Sequence, residues 1–165
     1  MGPTCSIIYE NEPLEANSMQ QPPRTITKSF FSLKELSVSI FQGIVITAFT
    51  LWIYYYEMQQ NQNEDTVRTM VFITLISANI LLTLVNRSFY FSLFTTIKYN
   101  NWMLAAMILV TITLVALLIT VPILRDFFLF SRISTNQLGL SLLIGFLSVI
   151  WFEVFKKFRR MRNPD

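Results

Sequence analysis

The chain has 165 residues, of which 53% are hydrophobic and only 14% are charged, and its net charge is +3. A soluble domain carries about 25% charged residues, so this composition indicates a membrane protein. The sequence contains no His and a single Cys, Cys5. These counts exclude a His/Cys metal centre, a Ser-His-Asp or Cys-His catalytic group and an internal disulfide.

The first 34 residues have no long apolar stretch and contain four of the six prolines of the chain, Pro3, Pro13, Pro22 and Pro23. Proline removes a backbone donor and clashes with the preceding turn, so a continuous helix is not expected here. The segment also lacks the basic start and apolar middle of a secretory signal. Residues 1–34 are therefore predicted to be a loop that is retained in the protein.

Four apolar stretches follow, and each is long enough to cross a bilayer as a helix, which takes roughly 20 residues. They predict transmembrane helices at about 36–56, 69–88, 101–124 and 136–155, within a membrane domain of residues 35–162. Pro122 predicts a kink near the end of the third helix. The predicted fold class is an all-α membrane protein with four transmembrane helices.

Basic residues predict how these helices are oriented, because Lys and Arg are retained on the cytoplasmic side of a membrane. Four spans place both termini on one face, and that face would hold ten of the thirteen basic residues, five of them after Glu153. The opposite face would hold Arg68, Arg125 and Arg132. The sequence thus predicts a multi-pass protein with both termini in the cytoplasm. Its basic tail is typical of a membrane flank, so nucleic acid is not an expected partner.

Small and polar residues within the spans mark helix faces that are turned towards protein. In the first span these are Ser39, Gly43 and Thr47 at four-residue steps, with Gln42 beside them, and in the fourth they are Ser141 and Gly145. Small residues at this spacing allow another helix to approach closely. Both patterns favour helix packing over ligand binding.

Asn79, near the middle of the second span, is predicted to be the most buried strongly polar group. An interhelical hydrogen bond is the simpler interpretation, and ion coordination by its amide oxygen is the alternative. No carboxylate lies at mid-membrane depth in any predicted span. Divalent cations prefer hard oxygen ligands that include charged ones, so the chain alone is poorly equipped to bind them. Glu153, at the membrane boundary, is predicted to pair with Lys156 and Lys157.

The opening segment carries an ordered series of motifs, which runs MGPTCSIIYENEP from Met1, then Met19, then Pro22-Pro23-Arg24. This series closely resembles calcium-pump-like P-type cation-transporting ATPases, where the sixth membrane helix passes into the cytoplasmic loop before the seventh. Further motifs resemble the seventh, eighth and tenth helices of that family, at 39–43, 68–88 and 151–156. The resemblance implies that the four spans are helices seven to ten, that residues 1–34 form a Pro-rich cytoplasmic loop, and that its part from Glu10 to Arg24 faces the phosphorylation domain.

Two departures from the family pattern concern the ion. The sixth helix of calcium-type pumps has an Asp ligand at the position of Gly2, and the eighth helix of sarcoplasmic-type pumps has a ligand Glu at the position that aligns with Asn79. Without both carboxylates a divalent site is weaker, so calcium is not assigned as the cargo. Asn79 remains a weak candidate for an ion ligand. Met1 falls inside the sixth helix, which predicts a truncated or split reading frame or an internal translation start.

The chain lacks the family's Asp-Lys-Thr-Gly-Thr phosphorylation motif, so it is not expected to hydrolyse ATP alone. No catalytic or cofactor-binding residue is predicted in it, and ATP and Mg²⁺ are expected only in catalytic domains outside the chain. The implied function is the carboxy-terminal transmembrane domain of a cation pump in a bacterial cytoplasmic membrane, supporting the ion-transport helices. The alternative is a stand-alone four-helix membrane protein that associates with or regulates a transporter. The expected partners are the lipid bilayer and either the rest of the ATPase or another transporter.

Overall fold

A computed structural model describes the backbone of residues 33–86 and 102–162, and the side chains of 36–86 and 102–154. Gly2 and the predicted loop up to residue 32 lie outside these ranges. The described elements are all helical: α1 (Leu33–Gln59), α2 (Glu64–Val85), α3 (Trp102–Thr120), α4 (Pro122–Phe127) and α5 (Thr135–Arg162). Helices α1, α2, α3 and α5 are long and apolar enough to cross a membrane. The predicted fold class is confirmed.

The turn between α1 and α2 is shorter than the sequence suggests. Helix α1 continues to Gln59 and α2 begins at Glu64, five residues before the predicted span. Asp65 and Arg68, three residues apart in α2, form an ion pair of 3.1 Å that suits a helix end outside the hydrocarbon. Hydropathy marks where the hydrocarbon begins, whereas a helix begins where its backbone hydrogen bonds begin. A span predicted from hydropathy therefore leaves out the charged first turn of α2.

Helix α3 is interrupted before the end of its predicted span. It ends at Thr120, Val121 has extended backbone angles of φ −78° and ψ 117°, and Pro122 begins α4. Proline has no donor with which to continue a helix, and it disfavours helical angles in the residue before it. The kink predicted at Pro122 is confirmed, and it amounts to a break between two helices.

The last helix is longer than the span predicted at 136–155, since α5 runs from Thr135 to Arg162. Its apolar part ends at Val154 and the basic tail continues the same helix. The tail side chains lie outside the described residues, so the predicted pairing of Glu153 with the two lysines stays a prediction.

The core lies among α1, α2 and α5, and the contact between α2 and α5 is the most extensive. Two clusters of buried side chains join these three helices. One contains Ala78, Val85, Val149 and Phe152, and the other contains Ile53, Met70 and Ile144. Helix α3 has a single buried residue along its described length, Leu104. It therefore stands at the edge of the packed unit, and most of its side chains are not buried by the described residues.

Aromatic side chains gather near the helix ends. Trp52 stacks on Tyr56 at a centroid distance of 5.4 Å, and the neighbouring Tyr55 is 64% exposed. Directly after α4, Phe128 stacks on Phe130 at 5.8 Å, and Phe128 is 46% exposed. Exposed aromatic rings at helix ends are typical of anchors at the headgroup level of a bilayer.

Candidate functional site

Asn79 lies on α2 without reaching another described helix. Its Nδ2 donates to the backbone oxygen of Leu75, one turn earlier in the same helix, at 2.8 Å. Asn79 is half-exposed, whereas Thr74 is buried and donates to the backbone oxygen of Ser141 on α5. Five residues separate Asn79 from Thr74, a rotation of about 140° that turns Asn79 away from α5. Among the described residues, the predicted burial and interhelical bond of Asn79 are therefore wrong.

The side-chain oxygen of Asn79 is the atom that remains available for binding a further group. Because Nδ2 is engaged within the helix, Oδ1 is the atom that can accept a further bond or act as a neutral cation ligand. In the part of the chain that the structure describes, no group of three or more His, Cys, Asp or Glu side chains could hold a metal ion. Asn79 can thus add one oxygen to a site that other helices complete.

A reciprocal amide pair joins α1 to α2. Gln42 is 5% exposed, and its Nε2 donates to Oδ1 of Asn86 at 3.2 Å. Nδ2 of Asn86 donates back to Oε1 of Gln42 at 3.4 Å. Such a pair satisfies the buried amide of Gln42 at the end of α2, where Asn86 is the capping residue. It makes the interhelical contact that the sequence suggests for Asn79, and only the relative rotation of the two helices reveals it.

Close packing at Ser141 and Gly145 is confirmed. Ser141 is fully buried between α5 and α2. A Cβ atom added to Gly145 would lie 2.7 Å from Oγ of Ser77, 2.8 Å from its Cβ and 3.0 Å from the backbone oxygen of Thr74. These separations are shorter than van der Waals contact. The two helices therefore approach more closely at this position than any larger residue would permit.

The small-residue face of α1 behaves differently. Ser39, Gly43 and Thr47 are all exposed, and a Cβ atom added to Gly43 would meet nothing within 4 Å. The sequence predicts that another helix packs here, and no helix of the described ranges does so. Gln42 lies next to Gly43, about 100° away on the helix, and it faces α2. The face is thus adjacent to the α1–α2 contact and open.

A polar cluster near the start of α2 holds the segment that follows α4. Thr69 is fully buried, and its Oγ1 donates to the backbone oxygen of Asp65 at 2.7 Å and accepts from the backbone nitrogen of Ser131 at 2.9 Å. Nη1 of Arg68 donates to the backbone oxygen of Leu129 at 3.0 Å. Leu129 has a φ of 54°, in the left-handed region that non-glycine residues rarely adopt. The sequence shows Arg68 and Thr69 as a motif, but it does not show partners about 60 residues away.

Four membrane-length helices, their packing through small and polar residues and their exposed apolar surfaces define a multi-pass helical membrane protein. A model of the family described as cation transporting ATPase, C-terminus, matches residues 1–158. The chain belongs to this family, which confirms the resemblance to the carboxy-terminal membrane region of P-type cation ATPases carried by the sequence motifs. A search of the curated proteins gives no significant match.

Proposed function

We propose that this chain supports the ion-transport helices of a cation-transporting P-type ATPase and thereby contributes to cation transport. The observation that carries the proposal is the open face formed by Ser39, Gly43 and Thr47 on α1. Small residues at four-residue steps let a second helix approach closely, and membrane helices associate mainly through such packing. In a member of this family, the membrane helices of the pump that carry the ion path are the partners that this face would receive.

The position of Asn79 on α2 supports the proposal that a helix docks on this face of α1. Asn79 precedes Asn86 by seven residues, nearly two full turns, so both lie on almost the same side of α2. Asn86 contacts Gln42 of α1, and Gly43 follows Gln42 directly. Asn79 and the small-residue face therefore both lie beside the contact between α1 and α2. A helix docked on the small-residue face would pass near Asn79, and an ion held by that helix could take Oδ1 of Asn79 as a ligand.

The rest of the transport cycle belongs to other parts of the pump in this proposal. Phosphoryl transfer needs an acceptor Asp, a bound nucleotide and Mg²⁺, which the catalytic domains of the pump would supply. The segment 1–34 would lie in the cytoplasm, and its part from Glu10 to Arg24 would face the phosphorylation domain, as the resemblance implies. The chain would then act as a membrane scaffold for the helices whose movement is coupled to phosphorylation.

The assembly part of the proposal is tested by a pull-down of the tagged chain from membranes of its native cells. The wild type should recover a polypeptide that bears the phosphorylation domain, together with cation-stimulated ATPase activity. Gly43→Leu should reduce this recovery by about tenfold, because the added side chain blocks helix approach. Gly139→Leu is the matched control, since a Cβ atom at Gly139 also meets nothing within 4 Å. Recovery of the wild-type chain alone, folded and inactive, would contradict the proposal and favour the stand-alone alternative.

The ion-path part is tested with Asn79→Ala in the recovered assembly. Loss of one neutral oxygen ligand should weaken the apparent affinity for the activating cation by about tenfold while the amount of assembled pump stays the same. The measurement is ATPase activity against cation concentration. Thr113→Ala, an exposed polar residue on α3 whose Oγ1 bonds within its own helix, should leave the affinity unchanged. An unchanged cation dependence for Asn79→Ala would leave this residue without a role at the ion.

A further inference from the structure

A groove of about 410 Å³ lies between α2, α3 and α5, on a different side of α2 from Asn79. It is bounded by Ile73 and Ile80 on α2, Ile112 and Thr120 on α3, and Leu138 and Leu142 on α5. The lining is almost entirely aliphatic, with Ser77 and Thr120 as its polar residues. Because the bounding helices are the membrane-spanning ones, the groove opens towards hydrocarbon and not towards water.

We propose that this groove binds one acyl chain of an anionic phospholipid, whose phosphate lies at Arg132. The first argument is length and depth. Ile112 and Thr120 are eight residues apart on α3, which corresponds to about 12 Å of helix. One leaflet of a bilayer has a hydrocarbon depth of about 15 Å, so the groove matches a single leaflet. It runs inward from the end of α3 at Thr120, four residues before the predicted end of the third span.

The second argument is charge. Ile133, which lines the groove near that boundary, directly follows Arg132. Arg132 is exposed and forms no ion pair with the described residues, whereas Arg125 of α4 is engaged by Asp126 at 3.3 Å. A guanidinium close to a membrane surface attracts an anionic headgroup. The mouth of the groove therefore has a cation available for a phosphate, and its interior has only apolar surface for an acyl chain.

The third argument is the packing of α3. This helix buries only Leu104 among its described residues, so little direct side-chain contact holds it against α2 and α5. An ordered acyl chain would contact all three helices at once and fill the space between them. The bound lipid would thus stabilise the position of α3 in the domain. This proposal concerns a different part of the domain from the small-residue face of α1. Its test is therefore independent of the proposed pump assembly.

The test uses the full chain purified into nanodiscs that contain equal amounts of phosphatidylglycerol and phosphatidylcholine. Native mass spectrometry after transfer to mild detergent reports the retained lipid. The wild type should retain one phospholipid, with phosphatidylglycerol preferred by about fivefold, the contribution expected of one arginine near the surface. Arg132→Gln should abolish the preference, and Arg132→Lys should keep it. Retention of phosphatidylcholine and phosphatidylglycerol in equal amounts by the wild type would overturn the headgroup assignment.

The groove itself is tested with Ala116→Trp, which places an indole among the lining residues, and with Ala105→Trp as the matched control on the same helix. Both alanines are exposed, and only Ala116 lines the groove. Ala116→Trp should reduce retained lipid at least about tenfold, and Ala105→Trp should leave it unchanged. Equal retention by both variants would overturn the proposal. So would a wild-type dimer that Ala116→Trp makes monomeric, because a second copy would then occupy the groove.

A measurement on the wild type covers the case in which Ala116→Trp fails to fold. Phosphatidylglycerol with a diazirine in the middle of its acyl chain is photolysed in the nanodisc, and the labelled residues are mapped. Labelling should concentrate at residues 112–120 over 105–110, and an excess of unlabelled phosphatidylglycerol should suppress it at least about fivefold. Uniform labelling along α3 that does not respond to competition would show ordinary bilayer contact and would contradict a bound lipid.

Discussion

At the scale of single residues, the partner of a polar side chain depends on the face of the helix it occupies as much as on its position along the helix. Asn79 and Asn86 are both amides in the second span, yet only Asn86 contacts another described helix. Thr69 is fully buried although it lies near the charged start of α2. Composition predicts that such residues need partners in a membrane. Which partner each one has depends on positions that lie far away in the sequence.

Thr69→Val is predicted to destabilise the domain by about 1–3 kcal/mol. Valine keeps the shape of threonine, but it leaves the backbone nitrogen of Ser131 without its 2.9 Å acceptor. The measurement is the midpoint of thermal unfolding in detergent, and Thr69→Ser, which keeps the hydroxyl, should recover most of the loss. If valine and serine lower the midpoint equally, packing of the methyl group and not the hydrogen bond determines the stability.

At the scale of helices, one spacing of small residues has two outcomes. Ser141 and Gly145 form the close contact between α5 and α2, while the Ser39, Gly43 and Thr47 face of α1 stays open. The sequence predicts helix approach at both places and is confirmed at one. The spacing of small residues shows that another helix can pack closely on that face. Whether one does so depends on where the neighbouring helices lie. The break at Pro122 depends on no neighbour, because it follows from the chemistry of proline alone.

Gly145→Ala is predicted to lower the unfolding free energy by about 1–3 kcal/mol, because the new methyl group would overlap Ser77 and force α2 and α5 apart. Its matched control is Gly139→Ala in the same helix, where a Cβ atom meets nothing within 4 Å. There the higher helix propensity of alanine should leave stability unchanged or raise it by up to about 1 kcal/mol. Chemical unfolding of both variants in micelles measures the difference. Equal effects would contradict a tight contact at Gly145.

At the scale of the whole molecule, the domain combines a packed unit of α1, α2 and α5 with a peripheral α3 and two open surfaces. One surface is the small-residue face of α1, and the other is the aliphatic groove beside α3. The first lies on a single helix, whereas three helices distant in sequence create the second. The orientation of the unit in the membrane is a prediction from the distribution of basic residues along the sequence.

The orientation predicts opposite labelling of two cysteines by a membrane-impermeant maleimide. Cys5 is the one cysteine of the sequence, and it should react in inverted membrane vesicles but not in intact cells. In a Cys5→Ser background, Asn61→Cys at the exposed turn between α1 and α2 should react in intact cells. Permeabilised cells, in which both sites should react, provide the control. Labelling of both sites from the same side of the membrane would contradict the predicted single crossing, by α1, between Cys5 and Asn61.

The sequence by itself determined the class of the protein, the number of its membrane-length helices, the break at Pro122 and, through its motifs, its family. These features depend on local apolar length and local chemistry, which the bilayer makes decisive because each span must satisfy its own backbone. Only the tertiary structure decided that Gln42 pairs with Asn86, that another helix packs against Gly145 and that no described residue packs against Gly43. Each residue step turns a helix by about 100°, so a shift of one residue exchanges every partner across an interface.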